Sequence, residues 1–127
     1  MTLDAPTTRP AGLPTGTGRL ESVSLGPFTL TDATTLPEFV TAYRHDGPAP
    51  GKAPQVVVVH ALTGSADAAA DWWAPLIGPG LALDTDHMGV LCANLLGGRY
   101  GTIGPTSIDP RTNRPYGGHF PSITTRD

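Results

Sequence analysis

The amino-acid sequence predicts an α/β protein, and three features carry that expectation. Gln55–Val59 is a valine-rich run, Met88–Ala93 is a second apolar run, and a short alanine-rich segment lies between them. Strand, loop, short helix, strand is the rhythm of a sheet with helical crossovers. About four strands fit, and no helical segment is long enough for a standard crossover. The elements therefore read as the opening of a larger sheet, incomplete within these residues.

Residues 1–20 are mostly Thr, Pro, Gly and Ala and lack the basic and apolar regions of a secretory signal. They are expected to form a flexible tail, with 21–127 as one structural portion. From Ser22 to Thr31 apolar and small polar residues alternate around Gly26-Pro27, the pattern of a strand or hairpin. A second strand is expected at Phe39–Tyr43, followed by the Pro/Gly-rich connector Asp46–Pro54.

Four consecutive valines, Val56–Val59, favour the pleated conformation because β-branched side chains are stiff at χ1. A strand apolar on both faces belongs in the middle of a covered, largely parallel sheet. Ala66–Trp73 reads as a short helix with Ser65 or Asp67 as N-cap, stopped by Pro75 and Gly78. Met88–Ala93 is a further strand, ending at Asn94. Beyond it, Gly97–Gly118 is dense in Gly, Pro, Thr and Asn. A loop of ~20 residues inside a compact domain implies a functional role.

Composition narrows the function. The formal charge is −3, with 8 basic and 11 acidic side chains and no basic run. Nucleic acid and an anionic membrane surface are not the expected partners. No apolar stretch approaches the ~20 residues that span a bilayer. Cys92 is the single cysteine, which excludes a disulfide within the chain and favours a reducing, cytoplasmic setting. Its apolar neighbours disfavour the thiolate, so Cys92 reads as packing. His45, His87 and His119 are scattered without metal-ligand spacing, and no metal site is expected.

The segment VVVVHALTG, Val56–Gly64, is the most informative. A buried strand running into a small-residue turn places backbone N–H groups at the strand's carboxyl end. Acyl transfer builds negative charge on a carbonyl oxygen, and one fixed N–H is worth ~2.7–4 kcal/mol there. The pattern alone favours an ordinary strand-to-loop transition over an oxyanion loop. His60, at the strand end, reads as a structural hydrogen-bonding residue rather than a base. Asn94, Gly97 and Gly98 follow the other strand at its carboxyl end, where open α/β sheets place ligands; the glycines also suit tight turns. Gly98, Gly101 and Gly104 recur every third residue, but they open no helix and no Lys-Ser/Thr pair follows, so a phosphate loop fails. Trp72-Trp73 reads as core packing of one or both rings, with an aromatic platform for a cofactor tail as the alternative.

Taken in order, HALTG (His60–Gly64), DWWAPLIGPGLALDTD (Asp71–Asp86), NLLGGRYGTIGPTSIDPRTNRPYG (Asn94–Gly117) and FPSITTRD (Phe120–Asp127) resemble the homoserine O-acetyltransferase family. The resemblance covers roughly Leu20–Asp127 and implies the N-terminal part of an α/β-hydrolase fold: the first strands of the central sheet plus the oxyanion loop. It also implies transfer of an acetyl group from acetyl-CoA to L-homoserine, giving O-acetyl-L-homoserine and CoA, a step toward methionine. The backbone N–H of Leu62 would be an oxyanion donor, with Thr63, Gly64, Asn94, Gly97 and Gly98 near the substrate. Acyl-CoA is then a co-substrate, no further cofactor is expected, and the full-length family enzyme is expected to be a homodimer.

Such chemistry needs a nucleophilic Ser on a strand–turn–helix elbow, then Asp and His. None of the serines here lies in a G-x-S-x-G frame, so the triad is expected downstream. A serine O-acyltransferase and a succinyl-CoA-using relative are the nearest alternatives. A non-catalytic remnant or partner-dependent module is the alternative of another class.

Overall fold

The computed structural model describes residues 8–10 and 16–127. In chain order the strands are β1 (Thr8–Pro10), β2 (Leu20–Ser24), β3 (Phe28–Thr29), β4 (Thr35–Leu36), β5 (Val40–Asp46) and β6 (Gln55–Val58). They continue with β7 (Ile77–Gly78), β8 (Leu83–Asp84), β9 (Gly89–Ala93), β10 (Ile108–Asp109) and β11 (Arg114–Pro115). The five-stranded main sheet has the order β1-β2-β5-β9-β6, and the other strands form three two-stranded ladders. Of the expected tail, Thr8–Pro10 runs parallel to β2 and Leu20 opens β2. The rest of 1–15 lies outside the described residues.

The sheet is mixed rather than largely parallel. β2 pairs antiparallel with β5, from Leu20↔Arg44 to Ser24↔Val40, and β5 pairs antiparallel with β9, from Tyr43↔Ala93 to Asp46↔Val90. Only β1–β2 and β6–β9 are parallel. Long-range pairing decides this, and residue periodicity does not encode strand direction. Strand β5 extends three residues past the expected Tyr43 because Arg44–Asp46 still pair with β9. Gly47 then turns the chain at φ +80°, where a Cβ would run into the Met88 carbonyl oxygen.

The valine strand corrects a second expectation. Among the described residues β6 pairs only with β9 and stands at the sheet edge. Val58 is buried, whereas Val57 and Val59 are 67% and 69% exposed. An all-valine run buries both faces only where both are covered, and here one is bare.

Between β6 and β9 the expected helix shrinks to a 3₁₀ turn, Ala68–Ala70. Asp67 makes no side-chain cap bond. Its carboxylate is drawn instead to the Arg44 guanidinium at 2.7 Å, and Arg44 also holds Asp46 at 2.9 Å. The other candidate, Ser65, accepts from the Asp67 N–H at 3.3 Å, but three alanines are too few to nucleate a longer helix. The segment still seals one face: Ala68 and Ile77 pack with Val58, Val90 and Cys92, and Trp73 leans on that cluster. A second cluster gathers Leu30, Leu36, Ile103 and Tyr116. Ile103 and Tyr116 come from Gly97–Gly118, which is not structureless; it contains the β10–β11 ladder and a 3₁₀ turn at Gly117–His119. Among the described residues no helix is long and apolar enough to cross a membrane.

Candidate functional site

Because β6 and β9 are parallel and in register, from Gln55↔Gly89 to Val58↔Cys92, their carboxyl ends emerge side by side. The loops that follow, 60–64 and 94–100, enclose an open cleft of about 650 Å³. Leu62, Thr63, Gly64, Asn94, Gly97 and Gly98 all line it. The sequence placed these residues at two strand ends, and the parallel register brings the two ends together.

The first loop is a tight turn. The Gly64 N–H donates to the Ala61 carbonyl at 2.8 Å, and a Cβ on Gly64 would come within 3.2 Å of that oxygen and of the His60 Cβ. The turn thrusts the Leu62 side chain fully into solvent, at 100% exposure. Among the described residues neither the Leu62 nor the Thr63 N–H has a protein acceptor. Two consecutive unpaired amides on the rim of a cleft are donors available to a ligand.

The second loop is held by its glycines and by one buried threonine. Gly97 adopts φ +79° and donates to the Ile103 carbonyl at 2.9 Å, while Gly98 donates to Leu95 at 3.0 Å. A Cβ on Gly104 would strike the Gly98 carbonyl oxygen, so the loop closes on itself only with glycine there. Thr102 is 4% exposed, and its hydroxyl accepts from the Ala42 N–H at 2.8 Å. Sequence reasoning missed Thr102, because its partner is a β5 amide 60 residues away. Tyr100, which with Arg99 departs from the family's pattern after the double glycine, sits at φ +61°, in the left-handed region, with the Arg99 guanidinium 5.4 Å from its ring centre.

Asn94 joins the two loops. Only 5% exposed, it accepts at Oδ1 from the Ala66 N–H (2.8 Å), with His60 Nε2 3.1 Å away, and donates from Nδ2 to the Tyr100 carbonyl (2.9 Å). His60 is thereby engaged in structure, as its position at the strand end predicts. Of the tryptophans, Trp73 packs on the core, while Trp72 is 81% exposed beside a smaller cavity of about 110 Å³ on the other flank of the 60–64 loop. Cys92 is buried, and burial pushes its thiol pKa up. The main cleft's lining holds no Ser, Cys or carboxylate. It presents no activated nucleophile.

A mixed sheet with a ligand cleft at the carboxyl ends of adjacent parallel strands, entered by a loop with free amides, is part of an α/β-hydrolase fold, and solved structures agree. The chain superposes on a mutant of esterase E22 with a TM-score of 0.74 and 29% identity, covering 86% of this chain and 34% of that one. It superposes on homoserine O-acetyltransferase from Bacillus anthracis with a TM-score of 0.73 and 28% identity, covering 84% and 32%. Within that class the sequence is related to the homoserine O-acetyltransferase family. It is 48% identical over 102 residues to the homoserine O-acetyltransferase of Nostoc punctiforme, which is 80% of this chain. The chain spans 28% of that relative's length. No protein-family model matches the chain.

Proposed function

We propose that this chain carries the oxyanion side of a homoserine O-acyltransferase active site. The observation that carries the reading is the free Leu62 N–H on the cleft rim, set in the HALTG turn of a sequence related to homoserine O-acetyltransferases. In the reaction an enzyme serine attacks the thioester of acetyl-CoA, and the carbonyl oxygen becomes an oxyanion facing this N–H. CoA leaves, and the hydroxyl of L-homoserine then takes the acyl group from the serine. The donor stabilises the tetrahedral states more than the ground state, which is what accelerates the step. Thr63 and Gly64 shape the turn, and Gly97 and Gly98 let the opposite wall approach. The Ser, His and Asp of the triad come from polypeptide other than these 127 residues. Acyl-CoA serves as co-substrate with no further cofactor, in a cytoplasmic, homodimeric enzyme of methionine biosynthesis.

The test uses the longest polypeptide encoded with this segment. CoA release is followed with L-homoserine or L-serine as acceptor and acetyl-CoA or succinyl-CoA as donor. The homoserine–acetyl pair should give the highest kcat/KM; preference for serine or succinyl-CoA would reassign the acceptor or the donor. Replacing the Leu62 amide by an ester removes only the donor and should lower kcat by ~10²–10³-fold, whereas Leu62→Ala keeps the N–H and most of the activity. An ester variant with wild-type kcat refutes the assignment. The likeness to esterase E22 favours one second reading, with water as the acceptor. Hydrolysis of a simple acetyl ester faster than transfer to homoserine would select it.

A further inference from the structure

Asn94 has the saturation of a structural clamp although it lines the cleft. Its amide orientation follows from two of its contacts. Oδ1 must face the Ala66 N–H and Nδ2 must face the Tyr100 carbonyl, since the reverse orientation would set donor against donor and acceptor against acceptor. With Oδ1 so placed, the His60 nitrogen 3.1 Å away has to donate, so the ring carries a proton on Nε2. His60 Nδ1 lies 2.8 Å from the Ala61 carbonyl oxygen. The Ala61 carbonyl is also the acceptor that closes the turn from Gly64. One buried amide thus touches residues on either side of the Leu62 turn, His60 before it and Ala66 after it. On its other edge it holds Tyr100 at φ +61°, in the left-handed region that L-residues rarely adopt.

We propose that Asn94 is the positioning residue of the site: it fixes the Leu62–Thr63 amides relative to the opposite wall by clamping His60 and Ala66 on one side and Tyr100 on the other. It acts through the two loops and touches no reacting atom. The kinetic consequence rests on the acyltransfer reading above, whereas the structural one does not.

The experiment compares Asn94→Leu and Asn94→Asp in the longest polypeptide encoded with this segment. Asn94→Leu removes every contact. Asn94→Asp keeps an acceptor for Ala66 and His60, while on the Tyr100 side it replaces the donor by a second acceptor facing the carbonyl oxygen. Backbone amide exchange should show Ala66 protected in wild type and Asn94→Asp, and released by at least ~10-fold in Asn94→Leu, while Ile103, whose N–H donates to the Val40 carbonyl at 2.9 Å, loosens in both variants. The ¹⁵N signal of His60 should place the proton on Nε2 in wild type and Asn94→Asp. For acyl transfer, Asn94→Leu should lower kcat by about 10–10²-fold with KM for acetyl-CoA nearly unchanged, and Asn94→Asp should recover most of that loss.

Wild-type protection of Ala66 in Asn94→Leu overturns the clamp whatever the activity. A loss carried by KM alone, or an equal loss of kcat in both variants, overturns the positioning role. If wild type shows no acyltransfer while the exchange pattern holds, the functional reading fails and the clamp stands. Should Asn94→Leu not fold, Asn94→Asp decides: an unprotected Ala66, or a His60 proton absent from Nε2, refutes the proposal.

Discussion

Cys92 and Asn94 are neighbours on the same strand and its exit, both almost wholly buried, and burial acts on them in opposite ways. Asn94 keeps its polarity because its amide is spent on partners. The Cys92 Sγ lies 3.9 Å from the Ser65 carbonyl, and burial disfavours its thiolate and raises its pKa, with a backbone hydrogen bond from His60 pulling the other way. The thiolate is the reactive species, so folded protein should resist a thiol-specific disulfide reagent at mildly alkaline pH. Labelling should proceed only as fast as the chain opens and should become immediate in denaturant. Stoichiometric labelling of folded protein within seconds would show that this strand is not packed as described. The Cys92 assignment was legible because four apolar or small residues surround it in sequence. The Asn94 network was not, since its partners lie 34, 28 and 6 residues away and no local pattern marks them.

At the scale of elements, a carboxylate ties two turns distant in sequence. Asp127 accepts from the Thr31 hydroxyl at 2.6 Å and from the Thr124 N–H at 2.7 Å, which joins the turn after β3 to the 124–127 turn. The hydrogen bonds from Thr31, then those from Thr124, lower the Asp127 pKa from 3.8 to about 2. A carboxyl whose folded pKa is depressed stabilises the fold above its unfolded pKa and loses that contribution as pH falls through the folded one. Asp127→Asn should therefore be less stable than wild type by a constant margin above about pH 4, and the margin should close as pH falls toward about 2. Urea midpoints of both proteins across that range provide the check, and a margin independent of pH would remove the tie from the account. Asp84, held by the Gly80 N–H and His87, is lowered to about 2 as well, so both proteins should keep some acid sensitivity. The main strands β6 and β9 were readable from β-branched and apolar runs, and β2 from its alternation. The ladders β3–β4, β7–β8 and β10–β11 were not, because two-residue strands carry no periodicity and are held by turns such as Asn113 at φ +56°.

For the molecule as a whole, the decisive feature is a sheet with one unprotected side. Among the described residues β6 has a partner on one edge only, and Val57 within it and Val59 just after it are both about two-thirds exposed. Leu62 and Leu95, which line the cleft at the ends of β6 and β9, are exposed as well, at 100% and 62%. Natural sheets guard such edges with charges, prolines or bulges, and none stands within Gln55–Val58. Contiguous apolar surface beside an unpaired ladder invites pairing with another chain, since the same contacts cover the valines and satisfy the open N–H and C=O groups. The 127-residue chain by itself should consequently self-associate at micromolar concentration and bind a fluorescent apolar dye. The double variant Val57→Lys/Val59→Lys places charge on the bare face while leaving buried Val58 in the core. It should shift the light-scattering mass toward monomer and cut dye binding several-fold, with the far-ultraviolet circular dichroism of the sheet retained. Wild-type chain that stays monomeric with a sharp, cooperative thermal transition would show that β6 is protected in some other way. Association unchanged by the two lysines would place the contact on a different surface.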